Sequence, residues 1–162
     1  MRFLPILIFF SFLFSPSVVK ARQASRTESI KRVVRRNGLI YIAKEKTPFS
    51  GVIAERYPNG RKKSRLPVKN GINHGVSRGW YDNGSIKYEK PFASGIPCGL
   101  HKRWYKSGNL MSEKRFKAGY RDGFYRQYHE NGIKKLEVFF KQGAKEGSLR
   151  IWDKMGIILS RE

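Results

Sequence analysis

The stretch GVSRGWYDNGSIKYEKPFASGIPC, residues 75–98, decides how this chain folds. GLHKRWYKSGNLMSEKRFKAGYRD (99–122) and GFYRQYHENGIKKLEVFFKQGAKE (123–146) repeat its pattern of glycines, aromatics and charges. On either side, a more degraded copy, GVIAERYPNGRKKSRLPVKNGINH, fills 51–74, and GSLRIWDKMGIILSRE opens a partial one over 147–162. Gly51, Gly75, Gly99, Gly123 and Gly147 head the units at intervals of 24 residues. Gly60, Gly84, Gly108, Gly132 and Gly156 keep that spacing nine positions later, and Gly71, Gly95, Gly119 and Gly143 follow eleven after those. A fixed period of this size marks a stacked repeat protein, in which each small unit buries its faces against its neighbours. Residues 37–50 read as one more partial repeat, two residues short, with Asn37-Gly38 in the second glycine column and Pro48-Phe49-Ser50 leading into Gly51.

Each unit reads as a β-hairpin. Asn59-Gly60, Asn83-Gly84 and Asn131-Gly132 suit a two-residue type I′ turn, whose central residues both need positive φ; Ser107-Gly108 and Met155-Gly156 are poorer versions. Such a turn sets Asp82 opposite Ser85, and therefore Arg78 opposite Glu89, Lys102 opposite Glu113 and Arg126 opposite Glu137. A cross-strand ion pair in each hairpin follows, contributing about 0.2–1 kcal/mol apiece. The same register sets Gly75, Gly99 and Gly123 opposite Phe92, Phe116 and Phe140, where a ring can cover bare backbone. Trp80, Trp104, Tyr128 and Trp152 form one column and Tyr57, Tyr81 and Tyr105 the next, so each face of the sheet carries aromatics. No stretch beyond the N-terminus holds a 3.6-residue apolar period. The expectation is an all-β chain: an elongated, single-layer, twisted antiparallel sheet of stacked hairpins.

The segment Asn70-Gly71-Ile72-Asn73-His74-Gly75, with Trp80-Tyr81-Asp82-Asn83-Gly84 after it, resembles the MORN (membrane occupation and recognition nexus) repeat. The 24-residue unit with its Trp-Tyr-x-Asn-Gly core looks like the bacterial variant, often labelled an antitoxin component. The resemblance covers residues 37–162. It implies a binding or scaffolding surface, and both lipid binding and protein contact are attributed to such repeats. An antitoxin working in the cytoplasm has no use for the N-terminal segment described next, and no Gly-rich phosphate loop of a kinase is present.

Met1-Arg2 precedes an apolar run from Phe3 to Phe14, and a polar stretch ending in Val19-Lys20-Ala21 follows, with a small residue at the cleavage point. This is the pattern of a secretory signal peptide over 1–21, cleaved after Ala21. The alternative is an N-terminal membrane anchor, although Pro5, Pro16 and the shortness of the run disfavour a spanning helix. A basic leader, 22–36, then connects to the repeat domain, and the expected location is periplasmic or secreted. Cys98 is the single cysteine, so no internal disulfide can form. The chain carries 34 Lys and Arg against 12 Asp and Glu, a net +22. Removing Arg2 and Lys20 with the signal leaves +20, a charge that favours anionic partners.

No catalytic set assembles. His74, His101 and His129 occupy three different repeat positions, and no metal or cofactor is expected. The binding candidates are the column Arg78, Lys102, Arg126 and Arg150, the neighbouring Trp80, Trp104, Tyr128 and Trp152 on the same face, and the basic run Lys114, Arg115 and Lys117. Lys87, Lys90, Arg121, Lys134 and Lys135 also lack an obvious acid partner. The functional expectation is a non-catalytic exported scaffold that binds a protein through a basic, aromatic-rich β surface. The alternative is peripheral binding to anionic phospholipid or acidic polysaccharide, with antitoxin-like or nucleic-acid binding behind it. The last unit stops within its second strand, leaving an edge through which a homodimer could pair.

Overall fold

The computed structural model describes residues 26–161. The signal-peptide assignment and its cleavage after Ala21 lie outside them. Two N-terminal pieces come first: β1 (Thr27–Ser29), then, after a 3-10 turn (Ile30–Arg32), the hairpin β2 (Val33–Arg36) and β3 (Leu39–Ile42). The repeats begin with β4 (Gly51–Arg56) and β5 (Lys62–Lys69), followed by β6 (Ile72–Asn73), β7 (Gly75–Trp80) and β8 (Ile86–Ala93). β9 (Ile96–Pro97), β10 (Gly99–Trp104), β11 (Leu110–Lys117) and β12 (Tyr120–Tyr128) come next. β13 (Lys134–Lys141), β14 (Ala144–Trp152) and β15 (Ile158–Arg161) complete the series. Strands β4 to β15 form one antiparallel meander in chain order, and β1 joins its first edge parallel to β4.

The long register is the expected one: Arg78 lies opposite Glu89, Lys102 opposite Glu113 and Arg126 opposite Glu137. The turns behind it are different. At Asn59-Gly60, Asn83-Gly84 and Asn131-Gly132 only the glycine has positive φ (81°, 93° and 86°). Gly60 N–H donates to the Tyr57 carbonyl and Tyr57 N–H to that of Arg61, both at 2.9 Å, closing a three-residue loop that ends on a left-handed glycine. This loop slips the register by one, and a β-bulge just before Trp80, Trp104 and Tyr128 slips it back. The two-residue turns with both residues at positive φ sit on the other rim, at Asn70-Gly71, Ser94-Gly95, Ala118-Gly119 and Gln142-Gly143.

Both rims are bonded unit to unit. On one, the hydroxyls of Tyr57, Tyr81 and Tyr105 donate to the carbonyls of Trp80, Trp104 and Tyr128 at 2.8–2.9 Å, and His129 Nε2 takes the same place toward Trp152 at 2.9 Å. The tip asparagines reinforce it. Asn83 accepts from Ser85 N–H at 3.1 Å, and its amide donates to the Lys106 carbonyl at 3.2 Å. On the other rim, Gly71, Gly95, Gly119 and Gly143 donate N–H to the carbonyls of Phe49, Asn73, Pro97 and Arg121, at 2.7–3.1 Å.

Two expectations are corrected. Gly75, Gly99 and Gly123 do lie opposite Phe92, Phe116 and Phe140, but their Cβ positions do not meet those rings. Their positive φ turns the Cβ position toward the preceding strand, where it meets Pro67, Pro91 and Arg115 at 3.6, 3.3 and 3.4 Å. Rings meet the Cβ position at other glycines: at Gly79 it would fall inside the ring of Tyr88 across the hairpin, and at Gly51 and Gly143 it lies 2.7 and 3.2 Å from ring atoms of Phe49 and Tyr120. Nor do residues 37–50 extend the sheet as a partial repeat. Asn37-Gly38 is the two-residue turn of the separate β2–β3 hairpin, and only Phe49 fills the repeat role, accepting from Gly71. That hairpin packs Ile40 and Ile42 with Phe49 onto Ile53 and Val68, so the sheet is covered at its N-terminal end. All five are buried, at about 1.5–3 kcal/mol for each large side chain.

Candidate binding surfaces

Because neighbouring residues on a strand point to opposite faces, the register sorts every candidate. One face carries an unbroken row across seven strands, alternating base and acid: Arg78, Glu89, Lys102, Glu113, Arg126, Glu137 and Arg150. Arg78 Nε meets Glu89 at 2.6 Å. Arg126 bridges two acids, with Nε 2.6 Å from Glu137 and Nη1 3.2 Å from Glu113. Lys102 departs from expectation. Among the described residues it meets no carboxylate within ion-pair distance, because Glu113 is already held by Arg126 and by the Tyr128 hydroxyl at 3.1 Å. Arg150 only reaches 4.0 Å from Glu137. Lys134, expected to be unpaired, donates to Glu137 at 2.9 Å.

The electrostatics follow from this crowding. Burial pushes the Glu137 carboxyl up, but hydrogen bonds from Arg126 and Lys134 outweigh it and hold the group below its ordinary range. Burial, then the charge and hydrogen bond of Glu113, push the Tyr128 phenol up. The rest of the aromatic column is half-buried: Lys62 lies over Trp80 at 5.9 Å and Lys134 over Trp152 at 5.0 Å. Beside the row, Leu100 and Phe124 remain 40% and 43% exposed, and Phe124 packs edge-on against Phe139.

The run Lys114, Arg115 and Lys117 does not act as one patch. Arg115 faces Leu100 and lies against Gly123, Lys117 borders a shallow cavity with Tyr120 and Asp122, and Lys114 points to the other face. There a second row runs Ser77, Lys90, His101, Lys114, Tyr125 and Val138. His101 is buried between Phe92 and Phe116, with ring centroids 5.6 and 4.5 Å away. Its Nε2 donates to the Pro91 carbonyl at 3.0 Å. Lys90 lies over Tyr88 at 4.8 Å and Lys114 over Phe116 at 5.4 Å. Burial lowers the pKa of both lysines, and the charges of Arg103, Lys114 and Arg121 lower them further. Burial lowers that of His101 as well, with Lys114 and Lys90 adding to it against the Pro91 bond. The row was legible in principle: the arithmetic that pairs Arg78 with Glu89, moved by one residue, pairs Ser77 with Lys90 and His101 with Lys114.

An open meander of hairpins joined unit to unit along both rims defines a β-hairpin repeat protein. A family profile for the MORN repeat variant matches residues 73–93, 97–118 and 121–142, three consecutive units. These three units, within residues 73–142, are therefore MORN-type repeats. No curated protein matches the chain significantly.

Proposed function

We propose that this chain is an exported, non-catalytic MORN-repeat scaffold that binds a protein partner through the face carrying the row from Arg78 to Arg150. The observation that carries the reading is the combination on that face. Ordered charges are flanked by Leu100 and Phe124, apolar side chains left part-exposed and of the kind an interface core covers. Alternating signs would fix the register of a partner more than its affinity. The non-catalytic part rests on the histidines: His101 and His129 bond backbone carbonyls and His74 lies beside the Ser94 N–H. Export rests on the N-terminal sequence.

The test is affinity capture from envelope extract with the processed protein and its Leu100→Ser/Phe124→Ser variant, each washed at low and at moderate ionic strength. A packed interface retains its protein through the moderate-salt wash and loses it in the variant. If everything bound elutes equally from both proteins as salt rises, the attraction is diffuse charge and the protein-binding reading fails. The second reading, peripheral binding to anionic surfaces, is favoured by the bases on the other face that lack acid partners.

A further inference from the structure

Five Asn-Gly pairs punctuate the described residues: Asn37-Gly38, Asn59-Gly60, Asn70-Gly71, Asn83-Gly84 and Asn131-Gly132. In such a pair the glycine backbone nitrogen can attack the asparagine carboxamide carbon, because the glycine has no Cβ to obstruct the approach. Four of the five are held against that step. At the hairpin tips, the side-chain oxygens of Asn59, Asn83 and Asn131 accept from the N–H groups of Arg61, Ser85 and Ile133, each at 3.1 Å. Their amides donate to the carbonyls of Asp82, Lys106 and Lys154 in the next unit, at 3.4, 3.2 and 2.8 Å. The N–H groups of Gly60, Gly84 and Gly132 are themselves bonded to the carbonyls of Tyr57, Tyr81 and His129, at 2.9–3.0 Å. Asn70 sits in the same kind of left-handed turn as Asn37, at φ 50° against 48°. Its side chain, however, accepts from the Ser50 hydroxyl at 3.2 Å, and the buried Gly71 donates to Phe49 at 2.7 Å. Asn37-Gly38 has none of this. Both residues are exposed, and among the described residues neither the Asn37 side chain nor the Gly38 N–H makes a hydrogen bond.

We propose that Asn37 is a site of spontaneous deamidation, singled out from the five pairs by the bonds that hold the other four, and that its isoaspartyl product loosens the hairpin over the N-terminal core. The Gly38 nitrogen gives up its proton to solvent base and bonds to the Asn37 carboxamide carbon. Ammonia leaves, and a succinimide ring closes. Water then opens the ring at one of its two carbonyls. One opening gives aspartate, and the other gives isoaspartate, in which the backbone runs through the former side-chain methylene. The net change is amide plus water to acid plus ammonia. Arg35 and Arg36 stand immediately before the pair, and their positive charge favours the nitrogen anion. Isoaspartate adds a backbone atom to a two-residue turn whose strands pair from Arg36–Leu39 to Val33–Ile42. That hairpin carries Ile40 and Ile42 onto Ile53 and Val68, and the Ile40 N–H bonds to the Gly71 carbonyl at 2.9 Å. The site lies outside the strands of the charged row, so it does not depend on the protein-binding reading.

Trypsin, which cuts after lysine and arginine, releases each pair on its own peptide: 37–44, 57–61, 70–78, 79–87 and 127–134. The purified protein is aged in mildly alkaline buffer, and the conversion of each peptide from amide to acid is followed by mass spectrometry. In the folded protein, peptide 37–44 converts about ten-fold or more faster than the other four, whose bonds must break first. In urea, where those bonds are gone, all five convert at similar rates. Conversion of 70–78 or of a tip peptide as fast as 37–44 in the folded protein overturns the proposal, as does a 37–44 peptide that stays an amide. Fragmentation that separates isoaspartate from aspartate identifies the product. Its effect is read from hydrogen exchange at the Ile40 amide. That amide exchanges several-fold faster in aged than in fresh parent protein. Asn37→Gly, which keeps a residue at ease with positive φ, cannot react, and its Ile40 exchanges at one rate fresh and aged. Unchanged exchange in aged parent protein whose 37–44 peptide is isoaspartyl overturns the loosening.

Discussion

The hydroxyl of Tyr81 reaches out of its own hairpin to the carbonyl of Trp104, 2.8 Å away, while Lys87 lies 5.2 Å over its ring. Ring packing and hydrogen bond can therefore be separated. Tyr81→Phe keeps the ring and removes the donor, leaving a part-buried carbonyl unpaired. We expect a loss of about 1 kcal/mol, read as a lower urea midpoint with an unchanged slope. An unaltered midpoint would mean that water replaces the bond at no cost. The equivalent position in the fourth unit is His129, whose ring nitrogen performs the task of the hydroxyl. For that reason the column of Tyr57, Tyr81 and Tyr105 stops when only residue types are compared, although the contact continues.

At the scale of turns and strands, the Asn-Gly pairs mark the hairpin tips correctly and their chemistry incorrectly. Asn83 is needed for its side chain, which bonds Ser85 and Lys106, and not for a left-handed backbone. In the third unit Ser107 takes the tip position, and Asn109 supplies the bond to the next unit, at 2.7 Å to the Glu130 carbonyl. The predicted register survives because loop and bulge each slip it by one in opposite senses. Composition hides the true two-residue turns, since Ser94, Ala118 and Gln142 are not residues that announce positive φ. Ala118 is the clearest case, at φ 47° and exposed. Left-handed backbone costs a residue with a Cβ about 1–2 kcal/mol, less for asparagine. Ala118→Asn, which copies Asn70 in the equivalent turn, is expected to raise stability by up to about 1 kcal/mol. A fall in thermal midpoint would show that this turn is not strained. The ladder was legible because it needs only register. The pairing of Lys102 was not, because two strands compete for Glu113 and only distances decide between them.

Over the whole molecule, packing is uneven. The cluster of Ile40, Ile42, Phe49, Ile53 and Val68 lies under the β2–β3 hairpin, whereas Met155, Ile157 and Leu159 at the other end are 82%, 60% and 64% exposed. Repeat arrays hold together through nearest-neighbour contacts, so local opening follows local burial. Amide hydrogen exchange should be slowest in β4 and β5 and fastest in β14 and β15. Phe49→Ala, costing about 3–5 kcal/mol, should flatten that gradient; uniform exchange in the parent protein would refute it. The rim bonds carry a different consequence. Each joins equivalent points of successive units, so excising residues 99–122 as a block would bring the Tyr81 hydroxyl to the carbonyl of Tyr128 and the Gly143 amide to that of Pro97. Gene segments encoding one module can thus be lost or duplicated with every seam closing again.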